Sequence, residues 1–136
     1  MRIELARRGD IPALLSCDRH LPVSRLTVCV DQGMVYALRL GGRVVGVLRY
    51  SLFWQTIPFL DLIFLEEACR GQGFGRQAMA FWEKAMLDNG FRYAMVSTQA
   101  DETARFFYEK LGYHRIGAFL PPEQEADELL YLKELE

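Results

Sequence analysis

Three glycines at alternate positions, set between two arginines, are the residues of this chain whose spacing points most directly to chemistry: Cys69-Arg70-Gly71-Gln72-Gly73-Phe74-Gly75-Arg76. Without a Cβ, glycines let backbone N–H groups approach a ligand closely, and a helix that opens at such a loop presents unbonded N–H groups carrying partial positive charge. With Arg70 and Arg76 on the flanks, the expected occupant is an anion. An ordinary strand-to-helix turn accounts for one glycine or two, but not for three at this spacing. The nucleoside triphosphate loop ends in Gly-Lys-Ser/Thr, and here Gly75-Arg76-Gln77 supplies neither the ammonium nor the hydroxyl. The dinucleotide fingerprint needs a glycine where Arg76 stands.

What remains is Arg-x-x-Gly-x-Gly, spelled by Arg70, Gly73 and Gly75, which resembles the acyl-CoA signature of the GNAT acetyltransferase superfamily. A second stretch, Ala104-Arg105-Phe106-Phe107-Tyr108-Glu109-Lys110-Leu111-Gly112-Tyr113, resembles the Ala-x-x-Phe-Tyr-x-x-x-Gly-aromatic helix of the same family. The Asp10-Ile11-Pro12-Ala13-Leu14 start and the Gly42-Arg43-Val44-Val45-Gly46 hairpin are similar too, so the resemblance spans essentially the whole chain. It implies an α/β GNAT acyl-CoA N-acyltransferase fold: a mixed sheet of six or seven strands, splayed between the fourth and fifth and flanked by about four helices, with acyl-CoA in the opening. The CoA pyrophosphate would lie on the third helix. The cofactor contacts implied are Phe64 and Leu65 at the strand end, Arg70, Gly71, Gln72, Gly73, Gly75 and Arg76 in the loop, and Asp101. Two positions depart from the family pattern: Asp101 stands where Asn is frequent, and Glu66-Glu67-Ala68 stands where a proline is usual.

Acetyl transfer to an amine needs a held thioester, donors for the tetrahedral oxyanion, loss of a proton from the amine and a proton for the departing thiolate. The resemblance puts Tyr108 at the position of the general acid; a core tyrosine with one hydrogen bond is the structural alternative. Asp61 is the only charge in Phe59–Leu65, and a carboxylate in that setting can have a raised pKa and accept the amine proton. Pairing with an arginine is the competing role for Asp61, and Glu66, Glu67 or water are the other candidates for the base. Backbone N–H near Leu65 is the expected oxyanion donor. His20 and His114 belong to no triad and are expected at the surface. Phe53, Trp54 and Phe59 gather where the third strand meets the fourth, either as core or as an acceptor platform.

The elements that must position these residues follow from periodicity. Asp10 as a cap, Pro12 in the first turn and apolar Ile11, Leu14 and Leu15 predict a helix over 10–20, while 22–33 is ambiguous. Strand-like runs at 34–40 and 43–53 joined by Gly41-Gly42 predict a hairpin. Phe59–Leu65 is apolar on both faces, as a central strand is. Ala78, Phe81, Trp82, Ala85 and Met86 predict a helix from Phe74 to Asn89-Gly90. Arg92–Thr98 is the next strand. Asp101 then opens a helix that stops at Gly112, and Tyr113–Phe119 and Glu128–Leu135 form a last antiparallel pair.

At 136 residues the chain is expected to form one domain, 1–136. Half of it is apolar (51%) and a quarter charged, the balance of a water-soluble protein. No run is long and apolar enough for a membrane span, and no export signal is recognisable, so the expected location is cytoplasmic. Cys17, Cys29 and Cys69 have neither disulfide parity nor metal spacing, so no metal is expected. The net charge of −2 conceals a tail, 123–136, with six acids against Lys133, which leaves +3 on the preceding residues. That mild excess suits one polyanionic small molecule; a nucleic-acid partner would need a dense basic stripe.

Two functions of different class therefore stand. One is an enzyme moving an acetyl group from acetyl-CoA, as cosubstrate, to the primary amine of a small molecule or a protein. The other is an acyl-CoA sensor that keeps the fold without turnover. A homodimer through the late strands is compatible with the family pattern.

Overall fold

The computed structural model describes residues 1–136. Seven strands form a mixed sheet in the order β1-β2-β3-β4-β5-β7-β6. These are β1 (Arg2–Leu5), β2 (Val35–Leu40), β3 (Arg43–Phe53), β4 (Ile57–Leu65), β5 (Tyr93–Gln99), β6 (His114–Phe119) and β7 (Glu128–Glu134). The helices are α1 (Ile11–Leu14), α2 (Val23–Asp31), α3 (Phe74–Asp88) and α4 (Ala104–Lys110). β4 and β5 pair in parallel through Phe59 with Met95 and Leu60 with Val96. A parallel pair needs a long crossover, and α3 supplies it. By compactness the chain divides into residues 1–51 with 61–82, and residues 52–60 with 83–136.

In the first unit, β1, β2 and β3 are antiparallel neighbours, and Gly41 and Gly42 turn the β2–β3 hairpin at φ 57° and 81°. These angles are the left-handed ones a two-residue hairpin turn requires, as the glycine pair predicts. The core here gathers Leu14, Leu26, Val30, Val35, Ala37 and Val47, with Phe64 and Leu62 packed against it. The helix expected over 10–20 is a single turn, Ile11–Leu14, and Asp10 does not cap it. The carboxylate of Asp10 is taken elsewhere: Oδ2 accepts the Arg7 N–H at 2.9 Å and Oδ1 accepts from Arg39 at 2.7 Å. After Leu14 the chain turns away, with the Ser16 hydroxyl donating to the Ala13 carbonyl and the Asp18 N–H to that of Leu14. The ambiguous stretch contains α2, which Pro22 begins in an extended conformation and which buries Leu26 and Val30, one helical turn apart.

In the second unit β5, β7 and β6 are antiparallel, and β5 pairs with β7 from Tyr93–Glu134 to Gln99–Glu128. The helix α3 ends where Gly90 turns to φ 92° and the Phe91 N–H reaches back to the Met86 carbonyl at 3.0 Å. Asp101 does not open α4; that helix starts at Ala104 after Thr103, and Asp101 lies on an exposed turn upstream. The Ala100 N–H is bonded to the Asp127 carbonyl at 2.8 Å, which holds the chain as a turn for these residues before the helix begins. At the other end Gly112 (φ 95°) stops α4, and the Tyr113 N–H donates to the Tyr108 carbonyl at 3.1 Å.

Candidate active site

The glycine loop has the conformation its sequence demands. The end of β4 is fixed by the Glu66 N–H donating to the Val45 carbonyl at 2.9 Å, after which Glu67–Cys69 make a 3-10 turn that buries Cys69. Gly71 and Gly73 then take φ values of 74° and 84°, with no atom within 4 Å of where a Cβ would stand. A side chain is excluded there by backbone conformation, not by crowding. The first bond of α3 runs from the Gln77 N–H to the Gly73 carbonyl at 3.0 Å, so the N–H groups of Phe74, Gly75 and Arg76 precede the helical ladder. Two side chains of the loop hold it closed. Arg70 Nε donates to the Leu65 carbonyl at 2.9 Å, with its guanidinium over the Phe64 ring, and Gln72 Nε2 donates to the Ala68 carbonyl at 3.1 Å. Arg76 is exposed. Open glycines, unbonded amides and nearby guanidinium groups fit a diphosphate.

Asp61 lies within β4 and belongs to a polar cluster. Its Oδ1 accepts the Ser51 hydroxyl at 2.9 Å, and its Oδ2 lies 3.5 Å from Arg49 Nη1. Arg49 itself is committed to Asp18, with Nε to Oδ2 at 2.6 Å. Asp18 is fully buried (0% exposed) and Arg49 nearly so (7%). Asp61 is only partly buried, with 26% of its side chain open to solvent, and that partial desolvation pushes its carboxyl above the ordinary carboxylate range; the Ser51 bond and the Arg49 charge oppose this, and the Asp18 charge adds to it. Of the other candidate bases, Glu66 receives Arg43 at 2.9 Å on each oxygen, and Glu67 is exposed.

Tyr108 is buried, 7% exposed, as its place on the apolar stripe of α4 predicts. Burial, reinforced by the charges of Glu102 and Glu128, pushes its phenol up to about 12. It is a proton-bearing donor at any physiological pH. Its ring meets Phe107 and Tyr113 edge-on, at 5.3 Å and 6.0 Å between centroids. Tyr113 is anchored in turn, its hydroxyl donating to Glu83 Oε2 at 2.8 Å while Lys133 donates to Oε1 at 2.7 Å.

The remaining candidates separate cleanly. His20 and His114 are exposed, and Cys17 and Cys69 are buried free thiols. The Phe53 and Trp54 rings meet at a tilt, 4.7 Å between centroids, on the tip of the β3–β4 hairpin, where Trp54 is 79% exposed. Reading by periodicity missed Asp18, Arg49 and Ser51. The signal for Arg49 was present: an arginine between Leu48 and Tyr50 in a long apolar strand needs a buried partner.

The model of the acetyltransferase (GNAT) family matches residues 10–113, which include the glycine loop, Asp61 and the Tyr108 helix. The chain belongs to the GNAT acetyltransferase family. No curated protein matches this GNAT chain in sequence. Its fold is that of solved GNAT structures. Ribosomal-protein-alanine N-acetyltransferase from Brucella melitensis is 19% identical, with a TM-score of 0.83 over 99% of this chain and 100% of that one. Ard1 from Thermoplasma volcanium is 16% identical, with a TM-score of 0.87 over 99% and 97%. The protein yncA from Salmonella typhimurium, solved with its cofactor acetyl-CoA, is 13% identical, with a TM-score of 0.84 over 100% and 94%. The GNAT sheet expected from the sequence is thus the one observed, with seven strands and parallel β4–β5 pairing.

Proposed function

We propose that this GNAT chain, as one cytoplasmic domain over 1–136, transfers an acetyl group from acetyl-CoA to a primary amine by direct attack. The observation that carries this reading is the loop of open, left-handed Gly71 and Gly73 ahead of the unbonded amides of α3. Acetyl-CoA supplies the activated acyl group as a thioester. Gly71, Gln72, Gly73, Gly75 and Arg76 would hold its diphosphate, Arg70 keeps that loop folded, and Phe64 and Leu65 would border the pantetheine arm. Asp101 is the weakest of these contacts, since an exposed carboxylate adds negative charge near an anionic cofactor.

Asp61 is the proton acceptor in this reading. Partial desolvation supports a raised carboxyl, and its Oδ2 has only a long contact to Arg49. Tyr108 holds a proton on its Oη and donates a hydrogen bond to the leaving sulfur; a thiol of pKa about 8.5 needs no stronger acid. The acceptor is a small-molecule amine or a protein terminus. The ribosomal-protein-alanine N-acetyltransferases of similar fold, from Brucella melitensis and Escherichia coli, support the inclusion of protein amines.

Free thiol release from acetyl-CoA across a panel of small amines and amino-terminal peptides tests the proposal. Turnover that depends on one amine class is expected. Tight CoA binding by calorimetry with no turnover on any amine would replace it with the sensor reading, and no CoA binding at millimolar concentration would remove both.

A further inference from the structure

The ion pair of Asp18 and Arg49 is the most deeply buried charge pair of the chain, and it abuts Asp61. A guanidinium offers a carboxylate two parallel donors on its Nε/Nη2 edge, and Asp18 sits against that edge with a short bond from Nε at 2.6 Å and a long one from Nη2 at 3.5 Å. Only Nη1 is left toward Asp61, at 3.5 Å. The Asp18 main chain is held by its N–H bond to the Leu14 carbonyl at 2.8 Å, and its Oδ1 also accepts the His20 N–H at 3.3 Å. Arg49 and Ser51, two apart on β3, project from the same face and both reach Asp61.

We propose that Asp18 is a positioning residue for the proton-accepting Asp61: by claiming the two-donor edge of Arg49, it prevents that arginine from locking the Asp61 carboxylate. A buried guanidinium with a carboxylate in reach frequently closes on it as a bidentate pair when no competitor holds its donors. Such a pair would fix Asp61 in its charged form and occupy both its oxygens. With Asp18 in place, Asp61 keeps one oxygen on Ser51 and one available for a proton. The charged and hydrogen-bonding groups that act on Asp61 are Arg49 and Ser51 from β3 and Asp18 from the turn after α1. The inference rests on Asp61 being the base, and its consequence is a pair of opposite shifts in the Asp61 titration, that of Asp18→Asn enlarged because the freed Arg49 edge can then close on Asp61.

The test is a carboxyl carbon NMR titration of the whole chain, with the Asp61 resonance assigned by its loss in Asp61→Asn. Neither cofactor nor acceptor is present, so a failure here is separate from a failure of acetyl transfer. Asp18→Asn frees the Arg49 edge and should shift the Asp61 titration to lower pH. Arg49→Gln removes the attracting charge and should shift it to higher pH. If Asp18→Asn does not fold, the double variant Asp18→Asn/Arg49→Gln puts an amide pair in place of the ion pair and should also shift Asp61 upward, since the Arg49 effect exceeds that of Asp18. An Asp61 titration that stays put in Arg49→Gln or in the double variant, or that moves the same way in both single variants, overturns the proposal.

Discussion

Gly46 on β3 lies directly against the carbonyl oxygen of Phe64 on β4, so closely that a Cβ at position 46 would overlap that oxygen. The same Cβ would meet Leu65 Cδ2 at 3.0 Å and Leu38 Cδ1 at 3.1 Å. Backbone cannot yield as the end of a flexible side chain can. The strand end that delivers the chain to the glycine loop is therefore set by a glycine on the preceding strand.

Gly46→Ala should consequently destabilise the fold by about 1–3 kcal/mol, the usual cost of forcing an extra methyl into packed surroundings. Urea denaturation measures this. CoA affinity should fall with it, because Leu65, whose carbonyl anchors Arg70, moves with β4. Stability and affinity both unchanged would mean that β4 shifts without cost.

In the loop the expectation is reversed. Gly73→Ala meets no neighbouring atom, so its penalty is the left-handed backbone alone, about 1–2 kcal/mol. Relaxing that strain rotates the very amides proposed to hold the diphosphate. Calorimetry should find CoA binding weakened by about tenfold or more, equivalent to about 1.4 kcal/mol, while the melting temperature falls only modestly. Full CoA affinity in Gly73→Ala would place the diphosphate elsewhere.

What was legible in the sequence is what depends on neighbours along the chain. The Gly41-Gly42 turn, the glycine loop and the stripe that buries Tyr108 each follow from spacing within a few residues. The length of the first helix did not: after Leu14 the chain continues as a turn that brings Asp18 to Arg49, a partner 31 residues away. The helix α2 was hidden by its β-branched Val23, Thr27, Val28 and Val30, which weaken a helical reading, although Leu26 and Val30 form a proper buried stripe. Asp101 looked like a cap because Asp is a good one; the bond from Ala100 to Asp127 that defers the helix is a contact across 27 residues. In the proposed base cluster Asp61 and the arginine in the apolar strand carry a local signal, whereas Asp18 is joined to Arg49 only by a contact across 31 residues.

Tyr108→Phe keeps the buried ring and removes only the donor. Thiol release should fall about one hundredfold, without a complete loss, while CoA affinity and the melting temperature stay near those of the parent. The phenol is pushed up to about 12, so the folded state binds its proton more tightly than the unfolded chain, whose tyrosine titrates near 10. Its contribution to stability is therefore intact below pH 10 and is lost as the pH climbs through 10 toward 12. Alkaline melting curves should show that loss in the parent and less of it in Tyr108→Phe.

The β3–β4 hairpin turns through Trp54 and Gln55 at φ 55° and 61°, left-handed angles that neither residue favours. Asn-Gly is the pair such a turn prefers. Replacing Trp54-Gln55 by Asn-Gly should raise stability by about 1 kcal/mol or more, read as a higher denaturation midpoint with an unchanged slope. A strained, exposed tryptophan tilted against Phe53 is costly unless it serves contact with something else, so the same variant should raise KM for the amine found by the panel and leave CoA affinity alone. A more stable variant with unaltered KM removes Trp54 from acceptor binding.

Asp61→Asn separates the two roles this carboxylate can have. With its folded pKa raised, Asp61 binds its proton more tightly in the folded state than in the unfolded chain, so its charged form at neutral pH opposes folding, and the opposition fades as the pH falls through the folded value. The amide mimics the protonated form and still accepts the Ser51 hydroxyl. If Asp61 is the base, Asp61→Asn should melt at the same temperature as the parent or higher at pH 7, yet lose acetyl transfer and the acidic limb of kcat/KM, which in the parent lies above the ordinary Asp value of 3.8. If Asp61 serves instead as a second partner for Arg49, the variant should melt lower and turn over normally. Measured together, melting temperature and thiol release cannot agree with both roles, because a proton acceptor held above its natural pKa is a group the fold tolerates and an arginine partner is a group the fold needs.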